Sequence, residues 1–210
     1  MTQESILLVG AGGHARACID VIELQGRFAI GGLVGVAQEV GSQIFGYPVL
    51  ATNEELPALL RNYNNALIAV GQIKTPELRM RLFAELERSG CGLPVIVSPL
   101  AHVSSHATVG AGTIVMHGAI VNAGAAVGRN CIVNSQSLIE HDTVIADHCH
   151  VATAATINSG VRVGAGTFVG SNASVRQSVS IGARCVIGMG QCVVADCAAG
   201  TQLPPARKPS

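Results

Sequence analysis

The chain has 210 residues, 49% of them hydrophobic and only 12% charged, too apolar a composition for a disordered chain. Thirteen basic residues balance thirteen acidic ones, so no basic field is present for general nucleic-acid binding. Aromatics are 3%, Trp is absent and Gly counts 25, so the core must be built from Val, Ile, Ala and other small residues. The apolar stretches fall short of the roughly 18 to 20 residues that a membrane span needs. The opening, MTQESILLVGAGGHA, has no basic n-region and does not read as an export signal. Seven cysteines with no CxxC pair are expected to be reduced thiols, in a cytoplasmic protein.

In chain order, Ile6 to Val9 reads as a short buried strand. It runs into Gly10-Ala11-Gly12-Gly13-His14 and then a helix over Ala15 to Leu24. A strand, a glycine turn and a helix start can place free N–H groups around an anion, although a tight structural turn explains the same residues. A second strand covers Ala29 to Val36. A helix capped at Thr52 or Asn53 continues to about Asn62. Ala66 to Val70 is a third strand ending at Gly71, and Thr75 to Ser89 is an amphipathic helix stopped by Gly90. The order βαβαβα predicts a small Rossmann-like parallel sheet over residues 1–95. Ligands of such sheets sit at the carboxyl ends of the strands, which points to Gly12, Gly13, His14 and Gly71.

The second half is a strict repeat. From Val97 to Val193 every sixth residue is Val or Ile, seventeen positions without a slip. Four residues after most of these sits a small side chain such as Ala101, Thr113, Cys131 or Ala155, and Gly often follows the aliphatic. The small residue and the next aliphatic are two apart, so both point inward from a strand, and the three remaining residues turn a corner. Three units close a triangular coil of 18 residues, and coils stack at about 4.8 Å. This is a parallel β-helix of hexapeptide repeats over residues 96–199, followed by a tail, 200–210. Cys131, Cys149 and Cys185 then share one interior column with Thr167, as small apolar fillers rather than metal ligands.

With these residues in place, the chain resembles the bacterial sugar O- and N-acetyltransferases, both the sialic-acid O-acetyltransferase-like and the UDP-4-amino-sugar N-acetyltransferase types. The most specific stretch is Asn134 to Val151, NSQSLIEHDTVIADHCHV. The resemblance implies a left-handed β-helix, a homotrimer with active sites at subunit interfaces, and acetyl-CoA as co-substrate without a metal. It makes His141 the general base and Asp142 the group that raises its basicity. It places His150 at the acetyl end of acetyl-CoA and Ser159, Ser171 and Met189 along the pantetheine. Gly12, Gly13, His14 and Gly71 would hold a sugar nucleotide, with N-acetylation of a nucleotide-linked amino sugar preferred to O-acetylation. Two departures stand out. Gly35-Val36 replaces the acidic pair usual after the second strand, where the nearest acid is Glu39. The ending Leu203-Pro204-Pro205-Ala206-Arg207-Lys208 lacks the family's Gly.

The chemistry has its own logic. His141 and Asp142 fall at a corner, so neighbouring side chains can face each other; as a solvated pair they need no function. A carboxylate beside an imidazole suits a base that takes a proton from an attacking amine or hydroxyl. Acyl transfer also needs donors for a developing oxyanion, from backbone N–H or a histidine. His150 is nine residues away, half a coil, on an outward mid-face slot. The two histidines are therefore expected to meet across a subunit interface. Two other readings are open: a zinc hydratase of the gamma-carbonic-anhydrase type using His117, His141, His148 and His150, and a non-enzymatic scaffold.

Overall fold

The computed structural model describes residues 3–206. Arg207 and Lys208 of the family-like ending lie outside them. β1 (Glu4–Val9) leads through the glycine turn into α1 (Gly13–Gln25), which ends where Gly26 adopts the left-handed conformation at φ 67° and its N–H bonds Ile22 O. β2 (Phe28–Gly35), β3 (Gln43–Ile44) and β4 (Tyr47–Thr52) follow, then α2 (Leu56–Leu59), β5 (Asn65–Ile68) and α3 (Glu77–Ser89). The strand order is β3-β4-β2-β1-β5.

Two expectations are corrected here. The sheet is mixed, because β3 pairs antiparallel with β4, whereas β1, β2, β4 and β5 are parallel. The turn between β3 and β4 is Phe45-Gly46, both at positive φ (50° and 88°), the two-residue geometry that suits a hairpin. A phenylalanine in that position gives almost no sequence signal. The helix expected from Thr52 to Asn62 is also broken, into a 3-10 turn, the single turn of α2 and a second 3-10 turn. Its start is as anticipated: the Glu55 carboxylate accepts from both the N–H and the hydroxyl of Thr52. Pro57 lacks an N–H, so regular bonding is confined to a short stretch.

The repeat reads as expected. From β6 (Ile96–Val97) to β22 (Cys192–Val193), seventeen two-residue strands each end on one of the periodic aliphatics, and β23 (Gln202–Leu203) adds a last strand in the segment expected to be tail. The strands form three parallel sheets, and partners from β6 to β22 lie 18 residues apart, as in Ile132 with His150 and His150 with Phe168. The whole is a left-handed β-helix. The inward aliphatic and small residues make one continuous core, the cysteine column included. From the third corner to the one before β22 each corner uses one left-handed residue, Gly at six (Gly112 among them) and another residue at eight, among them Asn130, Asp142, His148 and Ala154.

The α/β unit sits on one face of the prism. Ile96, Ile114, Met116 and Ile132 of that face share a core cluster with Ile6, Ile19 and Ile22. The outward residues there, Ile96, Ile114, Ile132, His150 and Phe168, recur every 18 positions, and this apolar outward column is the sequence trace of a covered face. Polar links cross the seam as well. Ser98 Oγ bonds His117 Nδ1 at 2.7 Å and His117 Nε2 bonds Asp20 at 2.7 Å. Ser98 is 1% exposed and its Oγ also accepts the Leu100 N–H, so this Ser-His-Asp chain is a fastening rather than a nucleophile.

Candidate active site

A cavity of about 680 Å³ opens at the seam, at the carboxyl ends of β1, β2 and β5. It gathers all four residues expected to hold a sugar nucleotide: Gly12, Gly13, His14 and Gly71. Gly10 makes the turn possible: its φ is 129°, and a side chain there would meet the Ala69–Val70 backbone at 2.8 Å. Gly12 and Gly13 have a different role. A Cβ on either would touch nothing within 4 Å, so they leave the approach to α1 open. No side chain caps the first turn of α1; the Ala15 N–H bonds Gly12 O at 3.1 Å, and the N–H groups before it have no partner within the helix.

His150 joins the same cavity. Its strand, β15 (His150–Val151), lies on the covered face, so the outward side chain is 7% exposed rather than open to solvent. Its Nδ1–H donates to the Gln72 carbonyl at 2.6 Å. Its Nε2 takes the Asn134 amide N–H at 3.2 Å, and the Asn134 Oδ1 accepts from Ser135 N at 2.8 Å, which fixes the amide's orientation. Burial, opposed by the Gln72 bond and assisted by the Arg79 cation, pushes the His150 pKa down to about 4. His14 is pushed to about 3, by burial first and then by Arg79 and His150, and its Nε2 has no partner. Both rings are therefore neutral at pH 7.

The acetyl-CoA set assigned from resemblance is divided. Ser171 and Met189 line a second cavity of about 610 Å³, with Ile73, Lys74, Phe168 and the Leu203–Pro205 stretch. Ile73 borders both cavities, and His150 packs edge-on against Phe168 with ring centres 5.2 Å apart. The two cavities are thus neighbours across a thin wall. Ser159 lies instead at the corner one coil beyond His141, where the Gly160 N–H bonds the His141 carbonyl at 3.1 Å.

His141 and Asp142 form the pair the sequence suggested. His141 Nδ1 and Asp142 Oδ2 are 2.8 Å apart, with side chains 59% and 73% exposed. The left-handed φ of 61° at Asp142 turns the carboxylate back onto the ring. Neither residue lines the seam cavity, so within one chain the pair and the cavity stay apart.

Sequence reasoning gave no role to Gln72, Arg79 and Asn134. Asn134 stood in the quoted stretch and could have been found there; Gln72 and Arg79 carry no local pattern. Glu39 was noted only as the nearest acid. Its Oε2 accepts the Val36 N–H at 2.9 Å and it faces the cavity. A Cβ at residue 35 would come 2.6 Å from that oxygen, so the carboxylate packs directly against Gly35. The zinc candidates do not assemble within one chain. His117 is tied to Ser98 and Asp20, His148 to Asn130, His150 to Gln72 and His141 to Asp142. Among the described residues no group of three His, Cys, Asp or Glu could hold a metal ion.

Fold and site together define a class: an α/β unit seated on a left-handed β-helix, with a cavity at their seam. Residues 5–86 match the family described as the PglD N-terminal domain. The whole chain is similar in structure to solved acetyltransferases of the same two-part build. It is 27% identical to the acetyltransferase domain of PglB from Neisseria gonorrhoeae FA1090 in complex with acetyl coenzyme A, with a TM-score of 0.87 and 96% of both chains covered. It is 29% identical to PerB from Caulobacter crescentus in complex with CoA and GDP-perosamine, with a TM-score of 0.88, covering 96% of this chain and 94% of that one. WeeI from Acinetobacter baumannii AYE, 19% identical with a TM-score of 0.75 and 96% of both chains covered, shares the fold. No curated protein sequence matches the chain. No helix of the described residues is long and apolar enough to cross a membrane.

Proposed function

We propose that the chain is an acetyl-CoA-dependent N-acetyltransferase of a nucleotide-linked amino sugar, working as a homotrimer. One observation carries the reading. The glycine turn, the start of α1 with no side-chain cap, the half-buried His14 and the buried His150 share a single cavity, in a chain that resembles PglB and PerB along nearly its whole length. The nucleotide diphosphate would lie against Gly12, Gly13 and Gly71, and Glu39 would take the place of the acidic pair toward the base. The cavity lined by Ser171 and Met189 would receive the pantetheine arm, with the acetyl end beside His150. Ser159 would meet it from the neighbouring subunit.

Acetyl-CoA supplies the acetyl group; the chain supplies a base and a fixed geometry. His141, with Nδ1 held by Asp142, presents Nε2 to the amine of a sugar bound in the adjoining subunit's cavity. As the amine nitrogen bonds to the acetyl carbon and the carbon–sulfur bond breaks, the amine proton passes to Nε2 and on to the departing thiolate. Exposure of the pair in one chain suits an active site that a second chain completes.

The deciding experiment is acetyl-CoA turnover with mass spectrometry of the product. The panel holds GDP-, UDP- and dTDP-linked amino sugars, a free sialic acid and a hydroxyl-only sugar nucleotide. Acetylation of one amino-sugar nucleotide, lost in His141→Ala, is the expected result. Acetylation of the sialic acid alone would overturn the amine assignment, and acetyl-CoA neither bound nor consumed would overturn the function. Glu39→Gln should raise KM for the accepted nucleotide more than it lowers kcat.

A further inference from the structure

Among the described Lys, Arg, Asp and Glu side chains, Arg79 on α3 is the one that is buried, at 1% exposure. It forms no ion pair with a carboxylate among the described residues. One terminal nitrogen donates to Ile68 O at 3.1 Å and Val70 O at 2.6 Å; the other donates to Asn130 O at 3.0 Å and Asn130 Oδ1 at 2.6 Å. Its Nε has no partner. Burying a cation against neutral acceptors is costly, and a methionine would fill the space without that cost. The charge and the fork must therefore be kept for something they do.

We propose that Arg79 is a positioning residue for the seam cavity: its guanidinium fastens the Val70–Gln72 segment to the Asn130 corner of the β-helix and, through Gln72, sets the His150 ring. The acceptors come from both halves of the molecule. Ile68 and Val70 close the end of β5, and Asn130 is a corner residue at φ 52°. Asn130 is itself held, because its amide donates to Arg79 O at 3.3 Å and bonds His148 Nδ1 at 2.9 Å. Two nitrogens aimed at two separate backbones require the planar fork; a lysine ammonium cannot span them in the same way.

The fastened segment is cavity wall. Val70, Gly71 and Gln72 all line it, and Gln72 is the hinge of the argument. Its carbonyl accepts the His150 Nδ1–H, while its side-chain amide donates to Gly166 O at 3.2 Å. If this segment shifts, His150 loses the bond that fixes its tautomer, and with it the unprotonated Nε2 that accepts from Asn134. The charge acts separately from the bond: the Gln72 carbonyl favours the protonated ring, and the Arg79 cation disfavours it. His14 from α1, Gln72 from the loop after β5, and Asn134 and Phe168 from the β-helix surround His150, with Arg79 behind them from α3. Glu39 is the one carboxylate lining this cavity among the described residues, and it is tied to Val36 N. The cation therefore favours the neutral form of both histidines.

The inference deepens the reading of the cavity as the acceptor site, but its test is read without ligand. Histidine labelled with ¹³C and ¹⁵N is titrated in the wild type, Arg79→Met and Arg79→Lys, with His150→Gln to assign the ring. Arg79→Met removes the cation, which raises the His150 midpoint, and frees the Gln72 segment, which weakens the hydrogen-bonded Nδ1–H signal. Arg79→Lys keeps the charge, so the midpoint should stay low while the hydrogen-bonded Nδ1–H signal weakens. A folded Arg79→Met protein with both midpoint and Nδ1–H signal unchanged overturns the proposal. If Arg79→Met does not fold, Asn130→Ala carries the test: loss of the Nδ1–H signal supports the fastening, and an unchanged signal overturns it. Absence of acetyl transfer would sink the proposed function without touching this result.

Discussion

The two halves of the molecule reach stability by opposite routes. In the β-helix the strands bond the same face of the next coil, and the interior columns accept Ala, Thr, Cys or Val in turn. No single residue carries it, because each coil needs only its neighbours. In the α/β unit β1 is held between β2 and β5, which come from distant parts of the chain, and the exceptional backbone positions are unique: Gly10, Gly32 and Phe45. The regular half supplies a rigid face with fixed spacing, and the irregular half supplies the shape of a cavity. The candidate site lies where they meet, with Asn134 and His150 from the coil and the glycine turn from the sheet.

That division makes testable claims, the largest concerning chemistry. His141→Ala should lower kcat by about 10²- to 10⁴-fold, the usual worth of a general base. Melting should hardly change, because the side chain is exposed. Mixing these subunits with inactive His150→Ala subunits should restore activity, and failure to do so would break the claim that two chains build one site.

Next comes the interior of the coil. Ile157→Ala should cost about 2–5 kcal/mol in denaturant unfolding, since its side chain is fully buried between coils that cannot collapse around the gap. A cost below about 1 kcal/mol would mean that the prism is not a packed core.

The pH dependence should come from the seam rather than the prism. His150 titrates near 4 and His14 near 3 in the folded chain, against 6.5 for an ordinary histidine. The unfolded chain therefore binds more protons between these values, so stability is complete above about pH 6.5 and is lost as pH falls toward 4 and 3. His150 alone should account for roughly 3 kcal/mol of that loss. Melting curves recorded from pH 7 to 4 should flatten in His150→Gln, and an equally steep wild-type and variant profile would assign the loss elsewhere.

The smallest effect belongs to the corners. Gly160 adopts φ 68°, and an added Cβ would meet only Ser178 Oγ at 3.5 Å, so Gly160→Ala should cost about 1 kcal/mol for conformation alone. That the neighbouring corners hold His148 and Ala154 at similar angles shows the coil stacking that sustains such a cost.

By itself the sequence determined the prism and the ends of the strands. A period of six in Val and Ile, with a small residue two places earlier, leaves one way to bury every apolar side chain, and the seventeen strands end where that period places them. It also placed His141 beside Asp142, because adjacent residues at a corner can meet without help from the rest of the chain. Gly12, Gly13, His14 and Gly71 were legible through the strand–glycine–helix order. Only the tertiary structure decided the rest. The Phe45-Gly46 hairpin depends on a left-handed phenylalanine that its neighbours hold in place. His150 is buried because a whole domain covers its face of the prism; the apolar outward column marks that face in the sequence, but the residues that enclose the ring, Gln72 and Arg79, come from the docked domain. The Arg79 fork joins Ile68 and Val70 to Asn130, about sixty positions apart in the chain, and that contact exists only once both halves have folded and docked.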